Sequence, residues 1–209
     1  MIAATADASA PLVSGFIEST FSPLVYEAVR RCLAEAAAPM DAAADGPRTA
    51  IVLASTMGDA GTLDLGSRLL VAGEVSNPLL FMQSTANAIL GRMSIDFAIT
   101  GPLIALSPLA DLAEDLFATA DVLLADGEVD RVVLVGVELA GSERTTAAHH
   151  ELGTRPPSAD LAVAIALDRG DAVPAAVPPA EPASASSTPY GSLRGLVEAA
   201  ARIQGARSC

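Results

Sequence analysis

Few side chains in this chain could do covalent chemistry, and their positions narrow the choice further. Residues Gly101 to Glu128, GPLIALSPLADLAEDLFATADVLLADGE, read as a short strand, a turn and a long amphipathic helix ending at Asp-Gly. Such a unit can present a nucleophile at the helix start, where the dipole and free amides favour an anion. The turn here is Ser107-Pro108-Leu109-Ala110, with no Cys, His or Lys in it. Ser107 as a nucleophile requires a general base within hydrogen-bond reach, and the sequence offers none nearby. Capping accounts for it instead. Ser107 suits the N-cap, Pro108 the first helical position, and Asp111, Glu114 and Asp115 the positive end of the helix dipole.

The other reactive groups are scattered. Every basic residue is arginine, so a lysine-dependent mechanism is excluded. His149 and His150 are adjacent in a polar stretch beside Pro-rich sequence; neighbours in sequence rarely converge on one metal, and the pair reads as surface loop, with weak adventitious metal binding as the alternative. Cys32 falls in an expected helix and Cys209 is the last residue; neither has metal or redox spacing, which fits a reducing cytoplasm. The loop Thr56 to Thr62, TMGDAGT, follows a buried strand in the manner of a phosphate loop. It lacks both G-x-G-x-x-G and the Walker lysine and reads as a turn that needs glycine. No metal and no cofactor is expected.

Composition excludes further classes. Of 209 residues, 51% are hydrophobic but only 3% aromatic, so the core must be built from Ala, Val, Leu and Ile. A net charge of −13 argues against nucleic acid, which is held mainly through Lys and Arg on phosphates, and against anionic membrane surfaces. The N-terminal MIAATADASAPL has neither the basic start nor the apolar run of a signal peptide. Nor does any segment offer the roughly 20 apolar residues of a membrane span.

The elements that must position these residues follow from periodicity. Residues 1–10 read as a flexible tail, 12–17 (LVSGFI) as a first strand, and a helix opened by Pro23 runs to about 38. Continuous apolar runs at 49–55, 103–107, 130–139 and 160–168 read as strands, those at 49–55 and 130–139 buried on both faces. Helices are expected at 62–72, 86–99 and 108–125, and polar loop at 140–159. Residues 171–189 are Pro/Ala/Ser-rich and read as linker, and 190–209 as a docking helix with Leu193, Leu196, Val197 and Ala200 on its apolar stripe. Strands alternating with helices predict a layered α/β domain over 11–170 with a mostly parallel central sheet and helices on its faces.

The order of these pieces resembles a known family. An Asn-x-x-x-Gly-Arg-x-x-Ile helix from Asn87, then Gly101-Pro102, strand, elbow, helix, Gly127-Glu128-x-Asp130, and an apolar strand ending Gly136-Val137-Glu138 are similar to the N-terminal half of β-ketoacyl synthases. The resemblance spans residues 47 to 168 and implies one half of a thiolase-like fold, truncated relative to full ketosynthases. In active members a Cys stands at the helix start after Gly-Pro; spacing that pattern from Gly101 puts it at Ala110, with no gap on to Gly127-Glu128. A methyl group cannot form an acyl thioester. The family takes its catalytic histidines and lysine from its second half, which has no counterpart here.

The resemblance therefore implies a shortened relative of the chain-length factors, the members of the family that lack the Cys. Such a subunit pairs with an active ketosynthase and shapes its acyl tunnel in type II polyketide or polyene synthesis, meeting acyl carrier protein through the complex. Leu103, Ile104, Ala105 and Leu106 would then pair with the equivalent strand of the partner. Phe81, Met82, Ala86, Ile89, Leu90 and Met93 would line or cap the tunnel; the other reading of these six is ordinary core. Two alternatives stand beside this one: a small acyltransferase or hydrolase using Ser107, and a purely stabilising scaffold. Half of a two-lobed fold should also expose apolar surface that a partner, or the C-terminal helix, must cover.

Overall fold

The computed structural model describes residues 1–35, 41–74, 77, 79–109, 112–174 and 189–207, Arg207 by its backbone alone. The linker expected at 171–189 and the end of the helix expected to reach 38 lie largely outside the described residues.

Three strands form where the apolar runs are longest: β2 (Thr49–Ala54), β4 (Arg131–Glu138) and β5 (Leu161–Asp168). Two shorter ones complete a five-stranded sheet: β1 (Ile2–Asp7) and β3 (Leu103–Leu106), in the order β1-β5-β4-β2-β3. The expected N-terminal tail is thus a strand. Small side chains hid it: Ile2, Ala4 and Ala6 face one core and Ala3 the other, in an alternation that alanine states weakly. The stretch 12–17 is not a strand but turns, with Gly15 at φ +91° and only Val13 and Phe16 buried. Nor is the sheet mostly parallel. β2 runs parallel to β3 and β4, whereas β5 is antiparallel to both β4 and β1. The connection from β4 to β5 passes only through a short helix, which returns the chain alongside β4 in the opposite direction.

Helices cover both faces. On one, α1 (Phe21–Ala34) and α4 (Ala86–Asp96) pack Leu24, Val25, Ile89 and Met93 against Ile51, Leu53 and Val133. On the other, α5 (Leu112–Asp126) and α7 (Arg194–Arg207) pack Leu112, Leu116, Leu196 and Ala200 against Val52, Leu134, Val163 and Ile165. The C-terminal helix therefore docks on its own domain. It does so over Gly136, where a Cβ would stand 2.7–2.8 Å from Leu112, Leu193 and Leu196 Cδ2. Outward, α5 presents Glu114, Asp115, Asp121 and Asp126. On this side α7 covers the sheet beside α5, and the outer side of α5 is largely charged, with Val122 exposed among the carboxylates. Helices α2 (Ala60–Ala72), α3 (Leu80–Gln83) and α6 (Glu143–Glu151) complete the described α-helices, beside short 3-10 turns at Gly46–Arg48 and Gly191–Leu193.

The sheet's two edges differ. On β1 the outward carbonyls are taken: Gln204 Nε2 donates to Ala3 O at 3.0 Å and Arg31 Nη1 to Thr5 O at 2.8 Å. Arg31 is itself held by the buried Glu27, whose carboxyl the Arg30 hydrogen bonds, and then those of Arg31, hold down at about 2. On β3, Ile51 N–H donates to Pro102 O and Ser55 N–H to Leu106 O, so the backbone groups of Leu103 and Ala105 point away from the sheet. Among the described residues no side chain caps them. Gly101 sets this strand's approach. A Cβ there would lie 2.3 Å from Thr49 O and 2.9 Å from Pro47 O, which explains the glycine of the Gly-Pro pair. Gly101→Ala should therefore destabilise the fold by about 3 kcal/mol in chemical denaturation; a loss under about 1 kcal/mol would show that β2 and β3 do not need this approach.

Candidate functional site

The elbow between β3 and α5 differs from its capping description. Ser107 and Pro108 are non-helical, Leu109 is in a bend, and Leu112 is the first described helical residue. Pro108 biases the residue before it to extended backbone, so Ser107 continues the course of β3 instead of capping a helix. Pro108 is buried, while Ser107 is exposed and hydrogen-bonded to none of the described residues. A serine without a base is not activated, and among the described residues none is hydrogen-bonded to Ser107. Ala110 and Asp111 lie outside the described residues.

The six candidate tunnel residues separate into two groups. Ile89, Leu90 and Met93 are fully enclosed in the core between α1 and the sheet, beside Phe21, Leu24 and Ile99. Ala86 packs partly against the same core. Phe81 and Met82 stay outside it, 37% and 66% exposed, on the short helix α3. Phe81 rests across α2 at Gly66, where a Cβ would meet its Cζ at 3.4 Å. The candidate pairing residues do come together as one edge strand: Leu103 and Ala105 are exposed, and Ile104 and Leu106 are half-buried against the core under α5.

Sequence reasoning missed a set of buried polar groups. Glu138, at the end of the otherwise apolar β4, is 1% exposed and its Oε1 accepts from Thr56 N–H at 2.6 Å. A carboxylate closing a strand buried on both faces was the signal available. Asp59 caps α2 by accepting from Thr62 N–H at 3.1 Å, and its other oxygen accepts from Ser19 Oγ at 2.6 Å. The Thr56–Thr62 loop thus has its own carboxylate where a phosphate would sit. The region expected as polar loop contains α6, started by Ser142, which accepts from Thr145 N–H at 3.0 Å. His149 is not on a surface loop: it is wholly buried on α6, with Nδ1 2.8 Å from Thr154 Oγ1, and burial lowers its pKa. A Ser-x-x-Thr cap followed by Ala147-Ala148 carried that helix signal, which the polar composition of the stretch obscured. Among the described residues no cluster of His, Cys, Asp or Glu could hold a metal ion, and no helix is long and apolar enough to cross a membrane. Cys32 is buried and its thiol is pushed up to about 12.

The two groups of tunnel candidates should respond differently to truncation. Met93→Ala opens a cavity in a closed core and should cost about 2–5 kcal/mol in stability. Met82→Ala, on the surface, should stay within about 0.5 kcal/mol. Equal losses in urea denaturation would contradict this placement.

The geometry has known counterparts. The family model described as "Beta-ketoacyl synthase, N-terminal domain" matches residues 27–202. Among solved structures, one similar chain is in the ketosynthase (ApeO) in complex with its chain length factor (ApeC) from Xenorhabdus doucetiae. It is 21% identical with a TM-score of 0.55, over 73% of this chain and 58% of that one. The ishigamide ketosynthase/chain length factor is 16% identical with a TM-score of 0.56, over 75% and 45%. A chain of AntDE:AntF, a type II acyl-carrier protein in complex with its ketosynthase bound to the hexaketide, is 14% identical with a TM-score of 0.59, over 72% and 46%. These likenesses are of fold, and the chain spans 45–58% of the length of the chains it matches. No curated protein sequence matches it. With the family match covering most of its length and the mixed sheet and helical layers in place, this chain belongs to the β-ketoacyl synthase N-terminal domain family.

Proposed function

We propose that this chain is a non-catalytic, chain-length-factor-type subunit that pairs through β3 with an active β-ketoacyl synthase and shapes its acyl tunnel. The observation that carries the reading is the asymmetry of the sheet: β1 has its outward carbonyls capped by Gln204 and Arg31, while β3 offers the backbone of Leu103 and Ala105 beside exposed apolar side chains. An uncapped apolar edge is a template for another strand. Two of the similar structures are of ketosynthases with chain length factors, which supports a partner of that kind. The sequence spacing that puts Ala110 at the nucleophile position supports the assignment of the thiol to the partner. Within this reading the exposed Phe81 and Met82, with Ala86 behind them, are the gating candidates; Ile89, Leu90 and Met93 support them from the core. The complex works in a reducing cytoplasm, and acyl carrier protein reaches it through the partner's surface, since this chain carries a charge of −13.

The pairing is tested by co-expression with an active ketosynthase from the same genome. Ala105→Pro removes an outward N–H from an edge strand, a place where proline is tolerated, and so should leave the urea midpoint nearly unchanged while abolishing co-purification. Wild-type levels of partner recovered with Ala105→Pro would remove β3 as the interface. Met82→Ala in the intact pair should lengthen the products, read by mass spectrometry. An acyl adduct mapping to residues 107–110 after incubation with acyl-carrier-protein thioesters would sink the non-catalytic assignment.

A further inference from the structure

The end of β4, the loop after β2 and the turn that starts α7 meet at Glu138. The carboxyl is buried, and its contacts are the Thr56 amide and hydroxyl from one side and the Ser192 hydroxyl from the other. Ser192 faces the carboxyl without closing a well-formed hydrogen bond, so that both Glu138 Oε2 and Ser192 Oγ are buried without a partner. No charged side chain among the described residues bears on the carboxyl. Titratable groups on the surrounding elements are engaged elsewhere: Asp59 by Ser19 and Thr62, Asp160 by Ala140 N–H, Arg194 by Glu198, His149 by Thr154.

An ionised carboxylate buried without a counter-charge is strongly disfavoured. A proton on Oε2 removes the charge and turns that oxygen into a donor toward Ser192 Oγ, satisfying two orphan atoms with one bond. Burial, the largest influence on this group, pushes its pKa up, against the smaller lowering effect of the Thr56 and Ser192 hydrogen bonds. Position completes the argument. Gly136 and Glu138 are two apart on β4 and so face the same side of the sheet. Gly136 receives Leu193 and Leu196 on that side, and Ser192 precedes them in the turn at the head of α7.

We infer that Glu138 is a neutral carboxylic acid that donates through Oε2 to Ser192, latching the start of α7 to the end of β4, and that ionising conditions loosen the helix. The sign follows from linkage. The docked state holds the proton more tightly than the undocked one. The latch is therefore at full strength below the ordinary carboxyl value of 4.5 and weakens as pH rises from there toward the raised value. The inference does not depend on the ketosynthase pairing, since both partners in the latch belong to this chain.

Hydrogen–deuterium exchange of the α7 amides on the intact chain, corrected for intrinsic rates, tests it. Between about pH 5 and 8 the α7 opening constant should rise by up to about tenfold per pH unit until the docked acid ionises, while β4 amides stay protected. Glu138→Gln keeps a donor at the same place without a titrating proton, so its α7 exchange should be flat with pH. Ser192→Ala should speed α7 exchange several-fold at the acid end of the range. A pH-independent wild type, a slope retained in Glu138→Gln, or wild-type protection in Ser192→Ala would each overturn the latch. An infrared band for a protonated carboxyl, lost in Glu138→Gln, should persist in the wild type above the pH at which ordinary carboxyls have ionised; its absence there would overturn the assignment equally.

Discussion

A sheet whose strands are buried on both faces is stable only between two layers that exclude water from it, and this requirement organises the molecule. β2 and β4 have no polar face to offer solvent, so each side needs helices. α1 and α4 fill one side. The other is shared between α5 and a helix from the far end of the chain, α7, which completes the cover. The close fit at Gly136, with leucines from both helices above it, marks where the two halves of that layer join. A chain that spans only part of its relatives' length thereby closes its own core.

The sequence was informative where burial dictated composition and silent where geometry did. The runs at 49–55 and 130–139 could only be central strands, since β-branched and aliphatic residues without alternation require cover on both sides. Ile2–Asp7 carries the same information in alanine and threonine, whose small or polar side chains state a face weakly, and it passed for a tail. Strand direction leaves no periodic trace at all. The antiparallel placement of β5 depends on how short the link from β4 is, and the helix α6 within that link was obscured by polar composition around Ser142.

The candidate site was legible as an ordered set of motifs and less so as individual roles. Asn87, Gly101-Pro102, Gly127 and Gly136-Val137-Glu138 each acquire a distinct physical duty or position only in three dimensions. Gly101 permits a backbone approach, and Glu138 ties the loop after β2 to the end of β4. Helical spacing put Met82, Ala86, Ile89 and Met93 on one face, yet α3 and α4 are separate helices, with Ser84 and Thr85 between them. The break at 84–85 turns Met82 to the surface and leaves Ile89 and Met93 inside, which no single wheel could anticipate.

The contrast between the two edges of the sheet has a consequence for assembly. Two outward carbonyls of β1 are already engaged by a glutamine and an arginine, while β3 has no such cover among the described residues, so the sheet is open to further pairing chiefly along one edge. Under the pairing proposed for β3, growth that begins there would end with the molecule that joins. An edge covered by side chains in this way works against open-ended strand addition in a protein whose core is rich in the short apolar segments from which fibres form.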